Sequence, residues 1–206
     1  MKILYTLVIF AAVFTTVYSQ NESSPLVEKD IAYKDWVYKD IRTGSDRNLR
    51  KFVNGKKLVM VAYFAPWCPN WKHDAPLVQK LYDKYKAHGF DVIAVGEYDP
   101  VAAMKTHIDA MKLTFPAVYE NESRADKDKT AHAEYRKSVG DTRKWGSPWY
   151  IFLEAPRLEP EGLALTRKAF TVSGELREAE VEKMIREKLG LSLHRTTDSK
   201  IGLKQP

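Results

Sequence analysis

The chain has one cysteine, Cys68, among its 206 residues. That scarcity excludes an internal disulfide framework and any structural zinc site built on several thiolates. Ordinary packing must hold the fold together. A hydrophobic fraction of 44% and an aromatic fraction of 12% are ample for that and exclude disorder of the whole chain. A strong excess of one charge is also missing. The 33 Lys+Arg stand against 27 Asp+Glu, a formal net charge of +6. The two signs are interspersed, which gives only a weak pull toward acidic partners and reads as a solvated face, not a nucleic-acid surface. The histidines (His73, His88, His107, His132, His194) lack His-x-x-x-His or carboxylate pairing. A Gly-rich phosphate loop and a Gly-x-Ser-x-Gly elbow are absent, as are internal repeats. No metal or cofactor is implied.

Only one run could enter a membrane. It extends from Ile3 to Val17 after Met1-Lys2 and is followed by Val17-Tyr18-Ser19 and a polar stretch. It is short of the roughly 20 apolar residues that a spanning helix needs. Its basic start and small residues before position 20 make a signal peptide cleaved after Ser19, with an uncleaved anchor as the alternative. The mature protein is then secreted or periplasmic, without stable membrane insertion. An oxidising compartment makes a lone cysteine conspicuous: it is buried and inert, paired with another molecule, or kept reactive. Asn21 and Asn121 open Asn-x-Ser sequons that would be glycosylated only in a eukaryotic secretory pathway.

The expected organisation is a signal at 1–19, a polar segment at 20–30, one domain at 31–190 and a loose tail at 191–206. Within the domain, alternation from Ile31 to Phe52 around Thr43-Gly44-Ser45 suggests an edge hairpin. The unbroken apolar run at 58–64 is a buried central strand, and 91–95 is a second buried strand. Between them Leu77, Val78, Leu81, Tyr82 and Tyr85 recur at helical spacing up to a stop at Gly89. A helix at 100–112, a strand at 115–119, a charge-mixed loop, a short helix near 131–139 and strands at 149–153 and 163–172 follow. Ser173 is expected to cap a last amphipathic helix. Alternating strands and helices require parallel crossovers early, and closely spaced strands suit a late hairpin. The fold class is α/β, with a central mixed sheet flanked by helices on both faces and an N-terminal hairpin extension.

Cys68 falls where a buried strand ends and a helix begins. Unpaired N–H groups and the helix macrodipole there favour a thiolate, the nucleophilic form. Pro69 suits the first turn, and Pro76 should kink the helix. The stretch Val59-Met-Val-Ala-Tyr-Phe-Ala-Pro-Trp-Cys-Pro-Asn-Trp-Lys-His-Asp-Ala-Pro76 resembles the active-site segment of the thioredoxin superfamily, where a strand leads into Trp-Cys-x-x-Cys and a helix with a later proline. It is most similar to the exported TlpA-type proteins, grouped with the alkyl-hydroperoxide-reductase-like redoxins. Gly89 to Val95 is similar to their next strand, and Gly146-Ser147-Pro148 to their cis-proline turn. The likeness covers roughly Ile31 to Leu189 and implies a thioredoxin-like fold and a thiol–disulfide oxidoreductase site.

One departure matters most. Trp71 stands where the second cysteine belongs, so the mixed disulfide formed at Cys68 cannot be resolved within the chain. The peroxidatic Pro-x-x-x-Thr-x-x-Cys pattern is also absent, with Val61 and Ala65 at its proline and threonine positions. Asp74 matches an acidic residue of TlpA-type proteins. It is expected to tune the thiol or shuttle its proton, the alternative being an exposed helical carboxylate. Lys72 and His73 are expected to face solvent. Trp67 and Trp71 would form an aromatic platform for a peptide or simply cover the helix end. A cis bond at Pro148 would expose the Ser147 backbone for pairing with a substrate.

The leading expectation is an exported monothiol oxidoreductase with Cys68 as nucleophile and a thiol- or disulfide-bearing protein or small thiol as partner. The alternative is a non-catalytic binding or chaperone-like module on a thioredoxin fold that has lost its dithiol activity. A homodimer linked through Cys68 is the third reading.

Overall fold

The computed structural model describes residues 23–191. The expected leader, the Asn21 sequon and the tail beyond residue 191 lie outside the described residues. The order is β1 (Val27–Lys34), β2 (Val37–Asp40), β3 (Asp46–Asn48), α1 (Leu49–Val53), β4 (Leu58–Phe64), α2 (Pro69–Tyr85), β5 (Phe90–Gly96), α3 (Val101–Ala110), β6 (Ala117–Tyr119), α4 (Ala131–Ser138), β7 (Trp149–Glu154), β8 (Ala164–Val172) and α5 (Glu178–Leu189).

One mixed sheet runs β1-β8-β7-β4-β5-β6-β2-β3. β4 pairs parallel with β5 and antiparallel with β7, which puts the strand leading to Cys68 at the centre. Every residue of β4 and β5 is buried, as the uninterrupted apolar sequence of β4 and the apolar run that follows Asp91 in β5 require when both faces are covered. The period of two splits β4 between two cores. Leu58, Met60, Ala62 and Phe64 pack with α2, α3 and α5, while Val59, Val61 and Tyr63 face a second cluster that includes α1 and α4. Helices therefore cover both faces of the sheet, and among the described residues no helix is long and apolar enough to cross a membrane.

Two expectations change in detail. Val27–Lys34, half assigned to a polar segment, is an edge strand on β8, and the N-terminal hairpin is β2–β3, attached through β2 to β6. The interior side chains of β1, Ile31 and Tyr33, alternate with exposed neighbours, a half-buried edge that composition alone had hidden. Ser173 is not a helix cap: α5 begins after Arg177, and the Ser173 carbonyl accepts from the Ser24 hydroxyl at 2.7 Å. The intervening chain is held instead by the Leu176 N–H, which donates to Asp74 Oδ2 at 2.8 Å. The helix α2 continues through Pro76 to Tyr85.

Candidate active site

Cys68 is the N-cap of α2, with Pro69 in the first turn. Its backbone is extended, and its N–H donates to Ala65 O at 3.0 Å, closing the turn out of β4. The side chain is 6% exposed. Across from it the Ser147–Pro148 bond is cis. Two hydrogen bonds join this loop to the cysteine turn: the Cys68 thiol donates to Ser147 O at 3.1 Å, and the Ala65 N–H donates to Ser147 Oγ at 2.9 Å.

Ser147 is only 6% exposed, and Pro148 is buried as well. In this arrangement the Ser147 carbonyl accepts from the Cys68 thiol. The turn is buttressed from behind. Arg143 Nη2 donates to Pro148 O at 3.0 Å while its guanidinium is clamped by Asp141 at 2.8 Å. Gly146, at φ +60, lies against Arg136 so closely that a Cβ there would meet Nη1 at 1.3 Å. Glycine is required on both counts, positive φ and space.

The tryptophans separate. Trp71 is fully buried, its ring 5.1 Å from that of Phe64, and its indole N–H donates to His107 Nε2 at 2.8 Å. It fills core space under the helix and cannot belong to a solvent-facing platform. Helical geometry is the reason: a residue three positions past the N-cap is turned toward the sheet, on the face that also carries Ala75 and Val78. Burial and the Lys72 charge lower the pKa of His107, keeping it the neutral acceptor this bond needs. The half-buried ring that pairs with Trp67 is Trp145, edge-on at 5.1 Å. Trp67, Cys68, Trp145 and Ser147 share the wall of an open groove of 290 Å³.

Lys72 and His73 are exposed, as expected. Asp74 is not an exposed helical carboxylate: it has no solvent exposure. Its Oδ2 accepts from Tyr150 Oη at 2.7 Å and from Leu176 N, and its Oδ1 lies 3.3 Å from His73 Nδ1. Burial raises its pKa against these bonds, which pull the other way. Tyr150 is pushed up by burial first and by Asp74 next, and it also feels the charge of Cys68.

A second buried carboxyl escaped the sequence reading. Ala62 supplies no base, but Glu97, just past β5, is fully buried. Neither of its oxygens makes a hydrogen bond of good geometry, although Glu120 lies beside it. Burial and then Glu120 push its pKa well up, favouring the protonated acid. The signal was a charge directly after the buried run Val92 to Gly96 of β5. Asp141, Arg143 and Trp145 were equally legible in principle, because residues just before Gly146-Ser147-Pro148 must lie near Cys68 if that turn does. Among the described residues no group of His, Cys, Asp and Glu could hold a metal ion.

A family model for the AhpC/TSA family matches residues 32–139, just over half of the chain. The chain is 28% identical over 116 residues to the thiol-disulfide oxidoreductase ResA of Oceanobacillus iheyensis, covering 55% of this chain and 60% of that protein. It is 30% identical over 86 residues to the ResA of Halalkalibacterium halodurans, covering 42% and 47%. It thus spans less than two thirds of each. The crystal structure of a secreted thiol-disulfide isomerase from Corynebacterium glutamicum superposes with a TM-score of 0.59 at 16% identity, covering 79% of this chain and 92% of that one. At that identity the likeness shows the fold, which is thioredoxin-like.

Proposed function

The chain belongs to the AhpC/TSA family and has the thioredoxin-like fold of thiol–disulfide oxidoreductases, and from that premise we propose that it is an exported monothiol oxidoreductase in which Cys68 forms mixed disulfides. The observation that carries this reading is the placement of Cys68 at the N-cap of α2, beside the Ser147–Pro148 turn and on the wall of an open groove. The terminal N–H groups and macrodipole of α2 favour negative charge at that point.

The thiol gives up its proton, and the Cys68 thiolate attacks one sulfur of a substrate disulfide. A Cys68–substrate disulfide forms, and the other substrate sulfur departs as a thiolate that takes up a proton. Trp71 leaves no resolving thiol in the chain. A second, external thiol therefore attacks the adduct, forms a disulfide with the substrate sulfur and returns Cys68 as thiolate. Asp74 is the proposed proton acceptor for Cys68, with Tyr150 positioning it through the 2.7 Å bond. The apolar-rich leader Ile3 to Val17 supports export.

A specific observation favours the binding-module reading as well: Cys68 is 6% exposed and its thiol is already bonded to Ser147 O. One experiment separates the two. The protein is incubated with a peptide activated as a mixed disulfide and analysed by mass spectrometry, alongside Cys68→Ser and a urea-unfolded control. The oxidoreductase reading expects an adduct on the native protein that added small thiol releases, and none on Cys68→Ser. An adduct only in the unfolded control would overturn it and leave the binding module. A band that reductant collapses on a gel would reveal a Cys68-linked dimer.

A further inference from the structure

The cysteine groove does not end at Trp145. Arg143 and Lys144 form one of its walls and also line a second pocket, of 330 Å³, that continues along the Asp141–Lys144 loop to α4. The two share Arg143 and Lys144, so they lie side by side along this loop, one at Cys68 and the other toward α4.

Their charge is lopsided. The cysteine end is lined by Arg143 and Lys144 with no carboxylate. Around the second pocket, Asp141 is committed to Arg143, and Asp128 to Lys127. Exposed Lys137 and Lys144 make no close ion pair among the described residues, although Asp128, committed to Lys127, also feels the charge of Lys137. Arg136, 4% exposed, also lines the pocket, and its Nε and Nη1 make no hydrogen bond. At the cysteine end Arg124 lies 4.7 Å from the Trp67 ring centre and Lys144 lies 5.6 Å from that of Trp145. The aromatic pair is thus flanked by cations on both sides.

We propose that the two pockets from Cys68 to Lys137 form a docking surface for an extended, acidic polypeptide segment that carries the reacting disulfide. Trp67 and Trp145 take the apolar part of the segment next to its cysteine, and the exposed Lys144 and Lys137 take carboxylates beyond it. This rests on the proposed thiol exchange only for the reaction; docking itself requires no chemistry. The fold confers specificity here by placing two exposed lysines without an ion pair beside the cysteine groove, although the net charge of the whole chain is modest.

The test uses two peptides of equal length with one disulfide-activated cysteine, flanked by glutamates in one and lysines in the other. Adduct formation is followed on the native protein, and anisotropy of the labelled unactivated peptides on Cys68→Ser. The acidic peptide is expected to react and bind at least about tenfold better at low salt, as electrostatic steering provides. High salt and the Lys137→Glu/Lys144→Glu variant should abolish that preference. Equal binding and equal adduct rates for both peptides would overturn the docking surface while leaving thiol exchange intact. Binding of the acidic peptide to Cys68→Ser with no adduct on the native protein would leave the docking surface and remove the exchange.

Discussion

The Cys68 thiol donates to the carbonyl of Ser147 at 3.1 Å, across 79 residues of sequence, and the Ser147 hydroxyl accepts from the neighbouring Ala65 N–H. The serine therefore holds the reactive turn at two points, one of them through its side chain. Removing that hydroxyl leaves a buried N–H without a partner, which costs about 1–3 kcal/mol. Ser147→Ala should lower the urea midpoint of unfolding by a corresponding amount, whereas Ser147→Thr, which keeps the hydroxyl, should recover most of it.

Trp71 fills core volume beneath α2, against Phe64 and His107. Trp71→Ala should destabilise the protein by about 3–5 kcal/mol, the range for deleting a buried aromatic side chain. Trp71→Phe should cost less, losing the hydrogen bond to His107 but keeping most of the contact with Phe64. Denaturant titration of the three proteins checks the order. Equal stability of the alanine variant and the parent would mean that Trp71 is not the structural plug that its burial implies.

Asp74 gives the protein a pH dependence of definite sign. Its pKa in the fold is raised by burial above the unfolded value. Its contribution to stability is fully present below the unfolded value and is lost as pH rises through the raised one. Asp74→Asn removes this titration. The variant's stability relative to the parent should therefore improve progressively from acidic to neutral pH, measured as the difference in unfolding midpoint across a pH series. A difference that is constant with pH would show that Asp74 titrates alike in both states.

The sequence by itself determined the frame of the protein. Wholly apolar runs can only be central strands, and their alternation with amphipathic helices requires a mixed α/β sheet. The step from strand to Trp67-Cys68-Pro69 puts the one thiol at a helix start. These are local properties, fixed by periodicity and by the backbone preferences of proline and glycine. Tertiary structure decided which side chains share a site. Trp71 and Trp145 are both tryptophans near the reactive turn, yet the rotation of α2 sends Trp71 into the core, while the fold brings Trp145 to the groove. Asp74 looks like any helical carboxylate until Tyr150 of β7 and Leu176 close over it. Glu97 is an ordinary acid in sequence and a buried one in the fold. Burial and long-range partnership depend on how distant segments pack, and no local pattern encodes them.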